Sequence, residues 1–308
     1  MIVKIKVPVI LGPTAAGKTA LALEIASAIK GDILSCDSRQ IYRYMDIGTA
    51  KPSSEELSRI RHWMIDIVDP DEYFSAHLFS CSALEIIRKQ AREGRTVIIC
   101  GGTGFYFHCL KNGMGPQIEN DPQLRKKFEK KVREQGPESI FNELKRVDPE
   151  SAGRIHPHDV CRNIRALEIF YKTGQKKSEL QKQNNPPGDL EFKIFILALP
   201  RDILYNRINA RVHQMVEHGL WDEFVDLRKR GYGPGDPGME CVGYKELFEV
   251  EEGRKKFPEA VEVIKQNTRR YAKRQNTWLK NHYNGIIINQ NKQACLQIEK
   301  EITHFLSM

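Results

Sequence analysis

The segment Gly12-Pro13-Thr14-Ala15-Ala16-Gly17-Lys18-Thr19 constrains this chain more than any other. It fits the pattern G-x-x-x-x-G-K-[ST]. The apolar run Val7 to Leu11 precedes it, and helical periodicity from Ala20 to Lys30, stopping at Gly31, follows it. A strand feeding a helix through this loop is a phosphate cradle. Glycines let the backbone wrap around phosphate oxygens, the helix N-terminus offers unpaired N–H groups, and Lys18 adds a positive charge. The Thr19 hydroxyl can ligate Mg²⁺, the one cofactor expected. All eight residues are therefore candidate diphosphate ligands. The loop alone does not separate ATP from another diphosphate.

Further short apolar runs occur at Ile33 to Cys36, Ile65 to Val68, Val97 to Cys100, Ile194 to Leu199 and Ile286 to Ile288. Mostly helical segments separate them, as a parallel sheet requires. The expected fold is α/β, a P-loop NTPase-like parallel sheet flanked by helices. Strand signals vanish after Gly115, and Leu124 to Gln135, Ser139 to Val147 and Val160 to Lys172 read as charge-rich helices. Residues 115–188 are thus expected to form an all-helical insertion in a core of residues 1–114 and 189–308. The loop Gln181 to Gly188 returns the chain to the sheet at Phe192.

A chain of 308 residues can bury a substantial core, and 29% charged with 40% hydrophobic residues is a globular balance. The net charge of +8 favours an anionic partner such as nucleic acid. Seven cysteines, none spaced C-x-x-C, read as reduced and mostly buried thiols. No apolar stretch is long enough to span a bilayer and no leader is evident, so the cytoplasm is the expected location.

Asp37 follows the second apolar run, at a strand's carboxyl end, where ligands of open α/β sheets gather. A carboxylate there can bind metal as in a kinase, accept a proton from a nucleophile, or cap the next turn. Thr103, in Gly101-Gly102-Thr103-Gly104, is a second candidate at the same sheet edge, or a hydroxyl that stabilises its loop. Position alone leaves these roles open.

Gly12 to Thr19, Asp37-Ser38-Arg39-Gln40-Ile41-Tyr42, Met45-Asp46-Ile47-Gly48-Thr49-Ala50-Lys51-Pro52 and Gly101 to Gly104 together resemble the bacterial tRNA dimethylallyltransferases. Arg154-Ile155-His156-Pro157, Arg162 with Arg165-Ala166-Leu167-Glu168, Gly243-Tyr244-Lys245-Glu246 and Thr268 to Trp278 extend the resemblance in the family's order. It implies transfer of a dimethylallyl group from dimethylallyl diphosphate to N6 of the adenosine following the anticodon of a tRNA, with diphosphate as leaving group. In that scheme Asp37 is the general base, because an aromatic exocyclic amine is a poor nucleophile unless its proton is taken as the C–N bond forms. Thr103 orients Asp37 and the adenine. Lys18, Thr19 with Mg²⁺, and Arg211 stabilise the leaving diphosphate. The implied tRNA-contacting residues are Asp37, Ser38, Arg39, Gln40, Thr103, Arg125, Cys161, Arg162, Asn163, Ile164, Arg165, Lys273 and Arg274. The chain has Cys161 where the family usually has Gln, and it lacks the zinc-finger tail of eukaryotic relatives. A monomer is expected.

From Val261 to Asn281 the chain reads as one helix, with Lys265, Arg269, Lys273 and Lys280 on one face, flanked by Arg270 and Arg274. Val261, Ile264, Tyr271 and Leu279 lie opposite. Such a stripe can follow a phosphate backbone. The acceptor's base edge must swing out of its stack to reach a buried prenyl carbon, which calls for a channel open at both ends. Two rival activities share these features: a P-loop kinase, and prenyl transfer to a free adenine nucleotide. A non-catalytic RNA-binding protein with a nucleotide switch is a third possibility.

Overall fold

In the computed structural model, residues 4–289 and 294–308 are described. The chain forms β1 (Ile5–Leu11), α1 (Lys18–Ile29), β2 (Asp32–Cys36), α2 (Ser54–Arg59), β3 (His62–Trp63), α3 (Ala76–Arg92), β4 (Val97–Gly101) and α4 (Gly104–Asn112). Five helices follow: α5 (Pro122–Gln135), α6 (Glu138–Val147), α7 (Pro149–Ala152), α8 (Val160–Thr173) and α9 (Lys177–Lys182). The chain then returns through β5 (Leu190–Ala198), α10 (Arg201–Glu217), α11 (Leu220–Lys229), α12 (Phe248–Glu251), α13 (Phe257–His282), β6 (Ile286–Asn289) and α14 (Ala294–Ser307).

The six strands form one sheet in the order β3-β2-β4-β1-β5-β6, and every pairing is parallel. The near-continuous apolar runs of β1, β2 and β4 suit strands covered on both faces. Val7, Val9, Leu11, Leu34, Cys36, Val97 and Ile99 pack to one side with Phe79 and Phe107. Ile10, Ile33, Ile98 and Cys100 pack to the other against α1 and α14 through Ile25 and Ile298. Burial of each large side chain contributes about 1.5–3 kcal/mol. The loops at the carboxyl ends of β1, β2 and β4 are therefore anchored by the best-packed strands.

The run Ile65 to Val68 is not a strand. Met64 and Asp66 adopt left-handed backbone (φ 65 and 54), which breaks an extended ladder. The segment instead bonds to the Gln40–Arg43 loop, through Asp66 N–H to the Gln40 carbonyl at 3.2 Å and Ile67 N–H to the Ile41 carbonyl at 2.8 Å. The edge strand is the two-residue β3, in register with Ile33 and Leu34.

Two compact units separate: Met1–Lys111 with Gly188–Met308, and Asn112–Pro187. The second has its own core of Phe128, Ile140, Phe141, Leu144, Ile164, Ala166 and Leu167. Its polar centre is Glu168, wholly buried on α8. The carboxylate accepts from Arg125 Nε at 3.0 Å, Arg165 Nη1 at 2.5 Å and the Asp121 N–H at 2.5 Å. Burial works to raise this carboxyl's pKa, but the bonds from both arginines and the Asp121 N–H outweigh it and leave the pKa below its ordinary 4.5. Removing one partner strands the other charges, so Glu168→Ala should destabilise the chain by about 3 kcal/mol, near the lower end for a broken buried pair because Arg125 keeps some solvent. Because the folded pKa is the lower one, this stability is present above pH 4.5 and is lost as pH falls through the folded value. Urea unfolding of wild type and variant at pH 7 and pH 4 checks both statements; an equal difference at the two pH values would refute the second.

Candidate active site

Three loops leave the carboxyl ends of β1, β2 and β4, the edge where open α/β sheets bind ligands. The β1 loop carries the glycine-rich motif. Within it Ala15 and Gly17 have φ of 62 and 82, so the chain curls tightly before α1 begins at Lys18. The Lys18 ammonium folds back to the Pro13 carbonyl at 2.7 Å. Burial lowers its pKa, and Arg211 lowers it further, against the opposite pull of Cys100 and Asp37. Arg211 comes from the middle of α10 and donates from Nη1 to the Thr14 hydroxyl at 3.3 Å. Its guanidinium is likewise lowered by burial and favoured by Asp37.

The β2 loop begins at Asp37. Its Oδ1 accepts from the Arg39 N–H at 2.8 Å, an Asx turn that fixes the carboxylate's direction. Thr103, from the β4 loop, accepts the Ser38 N–H at 3.0 Å through Oγ1 and lies 3.3 Å from the Ser38 hydroxyl. Its N–H donates to the Cys36 carbonyl at 3.1 Å. A Cβ on Gly101 would lie 2.1 Å from that same Cys36 oxygen, so only glycine lets the two loops close on each other. Arg39 donates to the Pro237 carbonyl at 2.9 Å, and Gln40 donates to the Ala50 carbonyl at 3.1 Å. Gln40 also accepts from the Ser35 hydroxyl at 3.0 Å, so both amide ends hold the loop in place.

The structure thus gathers the β1 loop, Asp37, Ser38, Arg39, Gln40, Thr103 and Arg211 at one edge. Asp37 stands within electrostatic reach of both Lys18 and Arg211. Lys273 and Arg274 are exposed on α13, with the Arg274 guanidinium 5.8 Å from the Tyr271 ring centre.

Several expectations need correction. Lys265 does not belong to an exposed cationic stripe. It is 5% exposed, bonded to His213 at 2.8 Å and Glu262 at 2.7 Å. Counting by sevens explains this: Lys265, Ala272 and Leu279 share one stripe of the helix, and the latter two are buried. Tyr271 does not simply pack on the core. Burial and the neighbouring Asp37 carboxylate push its phenol pKa up, so it stays protonated beside Asp37 and Thr103. In the helical unit, Asn163 and Ile164, expected at a surface that meets RNA, are buried. Asn163 Nδ2 ties down the His156 and Pro157 carbonyls at 3.2 and 3.0 Å, and Ile164 belongs to that unit's core. Arg125 and Arg165 are committed to Glu168. Cys161 and Arg162 are exposed on α8. Of the seven cysteines, all free, Cys36, Cys100, Cys109 and Cys241 are buried, while Cys81 and Cys161 are exposed.

Residue-by-residue reading missed Gln275. Its Oε1 accepts the Thr14 N–H at 2.8 Å and its Nε2 donates to the Gly102 carbonyl at 2.9 Å. Trp278, one turn on, packs on Gly104, where a Cβ would lie 2.2 Å from its ring. The detectable signal was a polar residue inside a buried helical stripe, four after Tyr271.

A parallel sheet that carries the P-loop motif, two nearby cations and a carboxylate at one edge places the chain in the P-loop-like class of α/β proteins. The family described as IPP transferase matches residues 40–282, and the chain belongs to it. A tRNA dimethylallyltransferase from Thermotoga neapolitana is 45% identical over 98% of each chain. Among solved structures, a tRNA isopentenylpyrophosphate transferase from Bacillus halodurans superposes with a TM-score of 0.74 at 36% identity, covering 99% of this chain and 97% of that one. A eukaryotic dimethylallyltransferase, solved acting on tRNA, gives 0.82 at 27% identity, covering 98% and 79%. Among the described residues no helix is long and apolar enough to cross a membrane.

Proposed function

We propose that this chain transfers a dimethylallyl group from dimethylallyl diphosphate to N6 of the adenosine immediately following the anticodon of a tRNA, releasing diphosphate. The carrying observation is the placement of Asp37 within electrostatic reach of Lys18 and Arg211, beside the β1 loop. One end of the site suits a diphosphate and the other a proton acceptor. Asp37 takes the N6 proton as the amine attacks the prenyl carbon, and Thr103 and the Arg39 N–H hold the carboxylate's loop in register. The backbone of Gly12 to Thr19 with Lys18 and Arg211 meets charge that grows on the departing diphosphate.

The same reading assigns Mg²⁺ to the Thr19 end of the β1 loop. Among the described residues no group of three or more His, Cys, Asp or Glu could cage a metal. Mg²⁺ at phosphate sites takes few protein oxygens and completes its shell with phosphate and water. Thr19 would supply the hydroxyl, and a bound ion would add charge neutralisation on the diphosphate. On the RNA side, Lys273, Arg274, Arg270 and Lys280 are exposed along α13, a stripe suited to phosphate contacts from an anticodon stem-loop. Such an activity belongs in the cytoplasm, with its tRNA.

The test is mass spectrometry of tRNA nucleosides after incubation with purified protein, dimethylallyl diphosphate and Mg²⁺. The expected product is adenosine heavier by one dimethylallyl group. Movement of label from ATP, with no prenylated nucleoside, would replace this reading with a kinase. Prenylation of free adenine nucleotide but not of tRNA would change the acceptor.

A further inference from the structure

We infer that Gln275 is a positioning residue that sets the diphosphate cradle in register with the Thr103 loop; this rests on the proposed prenyl transfer. Its amide makes two bonds to backbone groups that belong to different loops. Thr14 N–H can only donate and the Gly102 carbonyl can only accept, so chemistry alone fixes which end of the amide faces which loop. Gln275 is 7% exposed and its bond to Gly102 is buried, so that bond does not exchange cheaply with solvent, while the bond to Thr14 is half-buried. Thr14 is a node: its N–H goes to Gln275 and its hydroxyl accepts from Arg211. Gly102 is shaped to the same purpose, since a Cβ there would lie 2.3 Å from Gln275 Nε2 and 3.2 Å from the Gly12 carbonyl.

Gln275 touches no reacting atom. It acts by holding the loop that presents Lys18 against the loop that presents Thr103, which in turn bonds the residue after Asp37. It also stands on α13 one residue from the exposed Arg274 and two from Lys273. The helix that offers charge to RNA thus pins the cradle from its other side.

The experiment compares Gln275→Ala, Gln275→Glu, Gly102→Ala and the Gly102→Ala/Gln275→Ala pair in the full chain. It reads kcat and KM for dimethylallyl diphosphate, pyrophosphate affinity by calorimetry without tRNA, tRNA affinity and Tm. Gln275→Glu keeps the volume and the Thr14 bond but sets a carboxylate oxygen against the Gly102 carbonyl, so it stays informative if the alanine variant unfolds. Both single variants at 275 are expected to lose roughly tenfold to a hundredfold in kcat, the scale of an ångström of misplacement. Pyrophosphate should bind severalfold more weakly and tRNA about as well as before. Gly102→Ala should be severe in the wild-type background and milder once Gln275 is alanine, because the clash with the amide is gone and only the 3.2 Å approach to the Gly12 carbonyl remains. Variants that lower only Tm, with kcat and pyrophosphate affinity intact, would overturn the inference. Wild type that binds pyrophosphate yet prenylates nothing would sink the proposed reaction instead, and the calorimetric arm would still judge Gln275.

Discussion

Asp37→Asn should lower kcat for prenyl transfer by about 10²- to 10⁴-fold, the range a positioned general base supplies, while tRNA affinity stays within a few fold. The substitution is close to isosteric. Its remaining carbonyl oxygen can still accept the Arg39 N–H that Oδ1 now holds at 2.8 Å, so the β2 loop keeps its turn. What disappears is the capacity to take a proton from the amine. The change also removes a negative charge that favours the protonated forms of Lys18 and Arg211. Pyrophosphate should therefore bind the variant at least as tightly as wild type, since the cradle's cations lose a competing anion. This combination, slow chemistry with undiminished diphosphate binding, separates a base from a metal ligand: losing a ligand would weaken Mg²⁺-dependent pyrophosphate affinity. Single-turnover kinetics with saturating tRNA, paired with calorimetry, reads both quantities, and a variant within threefold of wild-type kcat would end the general-base assignment.

Lys18→Met should cost about 10²- to 10³-fold in kcat, the loss expected when one preorganised charge partner of a developing anion is removed. Pyrophosphate affinity should fall with it. Stability should move the other way. Burial lowers the Lys18 pKa, so the folded protein holds this ammonium at a cost, and an uncharged side chain of similar length relieves it. Tm of the ligand-free variant is expected to equal or exceed that of wild type. The pH dependence has a defined sign. With the folded pKa below 10.5, the folded state binds fewer protons than the unfolded chain between the two values, and wild-type stability rises with pH across that window. Pyrophosphate affinity runs opposite: present below the lowered pKa, lost as pH rises through it, and without that step in Lys18→Met. A ligand-free variant clearly less stable than wild type would mean that Lys18 is a structural cation rather than one held ready for an anion.

Much of the site could be read in one dimension because its parts are local. A phosphate cradle is a run of eight residues, and strand, turn and helix are written into its neighbours, so Gly12 to Thr19 needed no tertiary information. Asp37 and Thr103 were legible for a related reason. Each follows an apolar run, and a parallel sheet sends the ends of such runs to one edge. Their roles were not legible from position, and those proposed for them rest on resemblance over longer blocks.

Tertiary structure decided what depends on partners distant in the chain. Arg125 and Lys265 looked like solvent cations, because a charged residue on a helix carries no mark of the acid or imidazole it will meet. Glu168 lies 43 residues from Arg125, and His213 lies 52 from Lys265. Ile65 to Val68 had the composition of a strand, but left-handed turns at Met64 and Asp66 gave its hydrogen bonds to another loop. Gln275 is the extreme case, 261 residues from Thr14 and 173 from Gly102. The sequence by itself determined which loop would curl between a strand and a helix and which strand ends would flank it, because backbone propensity and hydrophobic periodicity act over short spans. Only the fold decided which polar side chains are spent on one another, because a buried donor or acceptor must find its partner wherever packing brings one.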